Sequence, residues 1–256
     1  MKQNLYQRAI FKRYNMLKYS ILGLSFLLAS YPRLLIEVFI RRDFGHRYFN
    51  LSSSITLFLI LAWLPMMGSY DIDLETIYYA IIADPLWYGY LFAFLFFSFK
   101  RHKELRVKPG SYDHSWFSQS AGVSLDWFEN IKFRGKHFTN RTIEIWLEPL
   151  AFFLAGVLLL LLQNILGILL VICAVIYSLS YRAAYAIGDS LIYDMIDTNI
   201  IGRSTVKFYE EGEETVDETG VQFYTNRIKN KELGKYISDA MQGKDDDFTD
   251  GTSYAF

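Results

Sequence analysis

The chain has 256 residues, 52% of them hydrophobic and 18% aromatic, and its 26 Lys and Arg against 27 Asp and Glu leave a formal net charge of −1. One cysteine excludes an intramolecular disulfide framework and makes a cysteine metal site improbable. The apolar residues gather in blocks, and aromatics at this level fit the interfacial belts of an integral membrane protein. The charge is uneven: residues 1–148 carry 18 Lys and Arg against 12 acids, and residues 149–256 carry 8 against 15.

The chain opens on a basic lead, Lys2, Arg8, Lys12, Arg13 and Lys18, followed by the apolar run Tyr19–Tyr31. No small-residue cleavage site follows at a suitable distance, so the run reads as a retained anchor rather than a cleaved signal. A second apolar stretch, Leu34–Ile40, contains Glu37 with Arg33 and Arg41 four residues to either side, the spacing of helical ion pairs. Pro32 between the two stretches removes a backbone donor and predicts a bend at Pro32-Arg33. Two further stretches follow, Ser54–Gly68 and Ile77–Phe99, joined by a loop with Asp71, Asp73 and Glu75 and no basic residue. Asp84-Pro85 interrupts the second. Asp84 reads as the cap of a short span with Pro85 as its first helical residue; the alternative is an ion or proton site at membrane depth.

The cytoplasmic excess of Lys and Arg orients these elements. Arg33, Arg41, Arg42 and Arg47 form one basic segment, and Lys100, Arg101, Lys103, Arg106 and Lys108 a stronger one. Both stay cytosolic only if Tyr19–Ile40 enters and returns instead of crossing. Arg41, Arg42, Lys100, Arg101, Lys103, Arg106 and Lys108 are accordingly expected at the membrane surface. The stretch from Arg101 to Glu148 interleaves aromatics with Lys132, Arg134, Lys136 and Arg141, which suggests amphipathic helices on an anionic leaflet rather than nucleic-acid binding.

The longest apolar block runs from Pro149 to Tyr181, with Gln163-Asn164 near its centre. One straight helix over it would be about 50 Å long against a hydrocarbon core of about 30 Å. A hairpin turning at Gln163-Asn164 fits better and puts both amides near the far interface. Cys173 lies inside it as a packing thiol. Beyond it Tyr181, Tyr185, Asp189, Tyr193 and Asp197 recur every four residues along one helical stripe, an interface candidate, with Gly202 as the expected helix end. Ser204–Tyr209 and Val221–Tyr224 have strand-like composition and are expected to pair. Asn230–Met241 reads as a short helix, and the acidic tail from Gly243 as disordered.

The expected fold class is therefore mainly α: a polytopic membrane protein of short transmembrane helices, with a re-entrant or interfacial N-terminal helix pair and a small cytosolic C-terminal α+β segment. Its parts are residues 1–50, the transmembrane hairpin 51–99, the amphipathic loop 100–148, the hairpin 149–181, the cytosolic segment 182–242 and the tail 243–256. No phosphate loop, dinucleotide fingerprint, nucleophile elbow or metal-binding histidine pair is present, and no internal repeat is visible. No cofactor or catalytic residue is expected. The reading that remains is a non-enzymatic scaffold or anchor, in a bacterial inner membrane with both termini cytosolic. Its partners would be the lipid bilayer and other membrane or cytosolic proteins of a larger complex such as a secretion or conjugation machine, with self-association a further option. The alternatives are a small transporter or channel using Asp84, Gln163 and Asn164, and a membrane-bound enzyme built around Asp189 and Asp197.

Overall fold

A computed structural model of the chain describes residues 16–67, 74–107, 117–133, 135–211, 220–226 and 228–242. The basic lead, most of the acidic loop, Lys108 and the tail 243–256 lie outside them, and so do the expectations that fall there. Two units make up the chain, Tyr19–Tyr185 and a second formed by its two ends, Met1–Lys18 with Ala186–Phe256.

The N-terminal element is one helix, α1 (Met16–Ile40), with Pro32 inside it, and not the expected helix pair bent at Pro32-Arg33. An interior proline costs about 3 kcal/mol. Just beyond it Leu35, Ile36 and Val38 are buried in the main apolar core, each contributing about 1.5–3 kcal/mol. Packing outweighs the missing hydrogen bond, and the helix continues. It ends in β1 (Arg41–Arg42), which pairs antiparallel with β2 (Val123–Ser124), Arg41 opposite Ser124. The neighbouring backbone extends this contact, with Gly45 N–H donating to Ser120 O at 2.9 Å and Arg47 N–H to Ser118 O at 2.8 Å. A Cβ on Gly45 would lie 2.3 Å from Ser118 O, so only glycine lets the chains come this close.

Helix α2 (Leu51–Trp63) is capped by Asn50, whose side chain accepts from Ser52 N–H, and ends in a tight turn, Leu64–Met66. Pro65 has no N–H to give Leu61 O, the carbonyl four residues before it. Trp87 Nε1 donates to that oxygen instead, at 3.1 Å. Trp87 belongs to α4 (Pro85–Val107), which follows α3 (Leu74–Ala83). The break at Asp84 and the helical start at Pro85 agree with the capping reading, and Leu74–Ala83 forms a separate helix before them.

The stretch after α4 was expected to form amphipathic helices on a leaflet. From residue 117 to residue 139 the described residues form β2, a single turn α5 (Asp126–Glu129), and the β3–β4 hairpin, Lys132–Phe133 with Lys136–His137, instead of long helices. The hairpin turns at Gly135, whose φ of +79° suits a residue without a side chain.

Helix α6 (Asn140–Leu161) begins well before Pro149. It contains a widened π turn, Ile143–Leu147, closed by Glu148 N–H donating to Ile143 O. Pro149 explains the irregularity, because Ile145 O loses its normal partner. Ser178 Oγ, from the next helix, donates to it at 2.8 Å. The chain then reverses at Leu162–Ile165 with Gln163 in the left-handed region (φ 57°), and Asn164 Oδ1 accepts from Leu166 N–H at 2.9 Å. α7 (Leu166–Val206) continues into a π turn, Lys207–Glu211. The expected hairpin at Gln163-Asn164 is present. Two helices, Asn140–Leu161 and Leu166–Glu211, are long and apolar enough to cross a membrane; Leu51–Met66 is apolar but shorter.

In the second unit α7 does not stop at Gly202, and the expected strand Ser204–Tyr209 is helical. Thr205 is the reason: its side chain is buried and its Oγ1 donates to Ile201 O at 2.7 Å, so a β-branched residue is satisfied within a helix. Residues 221–224 form no strand either; Phe223 stacks on Phe208 with centroids 4.8 Å apart. Helix α8 (Lys231–Gln242) is present where a short helix was expected, and packs on the Lys207–Glu211 turn through Gly234. No α+β segment exists here among the described residues.

The hairpin arms meet at two glycines. A Cβ on Gly167 would fall 2.5 Å from Gly156 O and 2.7 Å from Leu160 N. Gly167→Ala must push the arms apart, at a cost of about 1–3 kcal/mol. Thermal unfolding in detergent should show a lower midpoint for this variant, whereas Gly188→Ala, with open space around it, should show none.

Candidate functional site: a buried arginine, carboxylate and tyrosine network

Charged side chains occupy the interior of the Tyr19–Tyr185 unit. Arg41 and Glu148 are 1% and 0% exposed, burial that charged groups tolerate only when paired and hydrogen-bonded. Arg41 Nη2 and Nε donate to Glu148 Oε2 at 2.7 and 3.2 Å. Ser124 Oγ donates to Glu148 Oε1 at 2.6 Å, and the Tyr177 hydroxyl donates to Oε2. Four donors thus reach a group that accepts about four hydrogen bonds, three at Glu148 Oε2 and one at Oε1.

The elements explain the geometry. The β1–β2 register sets Ser124 opposite Arg41, and the π turn at Pro149 places Glu148 against both. Arg41 also reaches Glu144 Oε1 at 3.1 Å, and the Tyr185 hydroxyl donates to Glu144 Oε2 at 2.6 Å. The Arg41 guanidinium lies 4.4 Å from the centre of the Tyr181 ring, a cation–π contact strengthened by desolvation.

A second carboxylate, Glu37, extends the network. Arg33 Nε lies 2.9 Å from Glu37 Oε1. The hydroxyls of Tyr48 and Tyr181 donate to the same carboxylate, at 2.8 Å to Oε2 and 2.9 Å to Oε1. Arg33 also donates to the Tyr48 hydroxyl. Burial, and next the Glu37 carboxylate, push the Tyr48 phenol above its ordinary range, so it remains a neutral donor. Residues 33 to 48, 124, 144 to 148 and 177 to 185 are thus drawn into one assembly. Its carboxylates are filled by protein donors, and among the described residues no group of three or more His, Cys, Asp or Glu could hold a metal ion. The arrangement ties the helices and strands that carry these residues to one another.

The site residues expected from sequence are distributed differently. Arg41 and Arg101 are buried; Arg101 Nε donates to Val38 O at 3.2 Å and its Nη1 pairs with Glu104 at 2.8 Å. Neither guanidinium lies at a surface, because each closes a carboxylate or carbonyl that packing had removed from water. Arg42 is partly exposed and pairs with Asp126. Lys100, Lys103 and Arg106 are exposed. Asp84 is half-buried at the α3–α4 junction, and Gln163 and Asn164 form the α6–α7 turn. On the tyrosine–aspartate stripe, Tyr185 is engaged with Glu144, whereas Tyr193 and Asp197 are exposed and Asp189 is half-buried. Glu148, Tyr177, Tyr48 and Ser124 were not anticipated. The one available signal was the tyrosine stripe, which extends a turn back to Tyr177 within the apolar block.

Removing one member of a buried pair leaves an uncompensated charge and costs about 3–5 kcal/mol. Arg41→Met should therefore strongly lower the unfolding midpoint in detergent, and adding Glu148→Leu to it should recover much of the loss. Equal losses in the single and double variants would show that the pair does not bear on stability as described.

No protein-family model, curated protein or solved structure matches this chain.

Proposed function

We propose that the chain is a non-enzymatic scaffold or anchor of a larger membrane complex, such as a secretion or conjugation machine, that recruits cytosolic partners at a bacterial inner membrane with both termini cytosolic. The observation that carries this reading is the contrast between interior and exterior. The buried carboxylates of the network are filled by donors of the same unit, while Leu154, Leu158, Leu161, Leu162, Ile168 and Ile172 of the hairpin are exposed. Contiguous exposed apolar surface of this kind calls for lipid or protein cover. The Arg182 guanidinium over the Trp146 ring, 4.3 Å from its centre, resembles the aromatic and snorkelling cation pairs of membrane interfaces.

Partner recruitment is assigned to the second unit. There Ile187, Leu191, Ile192, Met195 and Ile196 of α7 are exposed and, by helical spacing, share one side, with Asp189, Asp194 and Asp197 toward the other. An amphipathic helix of this type suits a protein partner that contributes its own apolar surface.

Affinity purification of the intact protein in mild detergent, followed by mass spectrometry, tests the proposal. Stoichiometric partners are expected with the wild type, and should be lost in Leu191→Glu/Met195→Glu while membrane insertion is unchanged. A wild-type protein that purifies alone, yet conducts ions or solutes in proteoliposomes until Asp84→Asn abolishes the flux, would replace the scaffold with the transporter.

A further inference from the structure

A cavity of about 540 Å³ in the Tyr19–Tyr185 unit is lined by eight described residues, among them His46, Arg47, His102 and Arg106. These four basic side chains are contributed by the loop before α2 and by the last turns of α4. Among the described residues, no acidic residue lines the cavity. The nearest acids along both elements are engaged elsewhere: Glu104 by Arg101 at 2.8 Å, and Asp43 near Arg42 at 3.9 Å. Among the described residues, none of the four basic groups has a carboxylate within ion-pairing distance. This contrasts with the adjacent network, where each arginine is matched. Folding alone gives no reason to gather two guanidinium cations, Arg47 and Arg106, at one concavity with no described carboxylate to pair them, since like charges repel.

The remaining lining fits an oxyanion. Asn50 and Leu51 are the cap and first residue of α2, a 13-residue helix, whose first-turn N–H groups and dipole favour negative charge. Phe49 and Leu105 form a floor and are 3% and 5% exposed, which lowers the local polarity and strengthens charge-assisted contacts. Arg47 and Arg106 supply planar donor forks that match phosphate oxygens. We propose that this cavity binds a phosphate-bearing anionic group, with Arg47 and Arg106 as its principal contacts. The group is either a lipid headgroup phosphate or a soluble phosphate. The proposal does not depend on the recruitment of partners; only the choice between the two sources depends on a bilayer setting.

The test uses the full-length protein in a neutral maltoside detergent, with the unfolding midpoint as readout. The probes are dioctanoyl phosphatidic acid, dioctanoyl phosphatidylcholine and inorganic phosphate. Phosphatidic acid should raise the wild-type midpoint, and Arg47→Gln/Arg106→Gln should weaken the apparent affinity by about tenfold or more for each arginine lost. Both arginines are exposed, so the double variant should keep the wild-type midpoint without ligand. Lys103→Gln, on the same helix but outside the cavity lining, should respond like the wild type. A response to inorganic phosphate as well assigns the site to a soluble phosphate; a response to phosphatidic acid alone assigns it to the headgroup. Equal shifts with phosphatidylcholine, a shift undiminished in the double variant, or no shift with either phosphate probe would overturn the proposal.

Discussion

The Arg41–Glu148 pair is the constraint on which the Tyr19–Tyr185 unit turns. Two opposite charges have been taken out of water, a step costing several kcal/mol per ion that only close geometry and further hydrogen bonds can offset. That requirement fixes Ser124 and Tyr177 as donors. It draws the end of α1, the β1–β2 ladder, the start of α6 and the middle of α7 to one point. Apolar packing alone would let these helices slide or rotate with little penalty; a carboxylate held by four donors does not. The network thus gives positional definition to a body whose hairpin exposes apolar, non-directional surface.

Proline sets the local geometry around that point. Pro65 and Pro149 each deprive a carbonyl of its helical partner, and each time a side chain from a neighbouring helix replaces it: Trp87 for Leu61 O, and Ser178 for Ile145 O. A defect in one helix thereby becomes a directional link to another. At Pro149 the same defect widens the turn that carries Glu148 into the network. Gly156 and Gly167 then allow the arms of the hairpin to approach until backbone meets backbone. Small residues at helix contacts favour association where lipid removes the hydrophobic drive.

Two electrostatic environments lie close together along the chain. Arg33 and Arg41 are neutralised by Glu37, Glu144 and Glu148, whereas Arg47 and Arg106 line a cavity with no acid among the described residues. The loop between β1 and α2 serves both: Tyr48 donates to Glu37, His46 and Arg47 line the cavity, and Arg47 also borders a second cavity beside Arg33 and Glu37. Residues a few positions apart in sequence therefore serve stability in one case and remain open to a ligand in the other.

Features carried by near neighbours were legible in the sequence. The hairpin at Gln163-Asn164 followed from the length of an apolar run, the break at Asp84-Pro85 from proline and capping chemistry, the Arg33–Glu37 pair from helical spacing, and α8 from a short amphipathic stretch. The division of α1 at Pro32, the helix end at Gly202 and the strand Ser204–Tyr209 followed equally local rules and are absent, because buried side chains beyond each position reward a continuous helix. Arg41 and Arg101 read as surface charges because their partners, Glu148 and Val38 O, are remote in sequence. Local chain chemistry determined where helices could begin and turn. Which charges are buried, and against which partners, was decided by tertiary structure, since desolvation and pairing depend on residues that meet only when the chain folds.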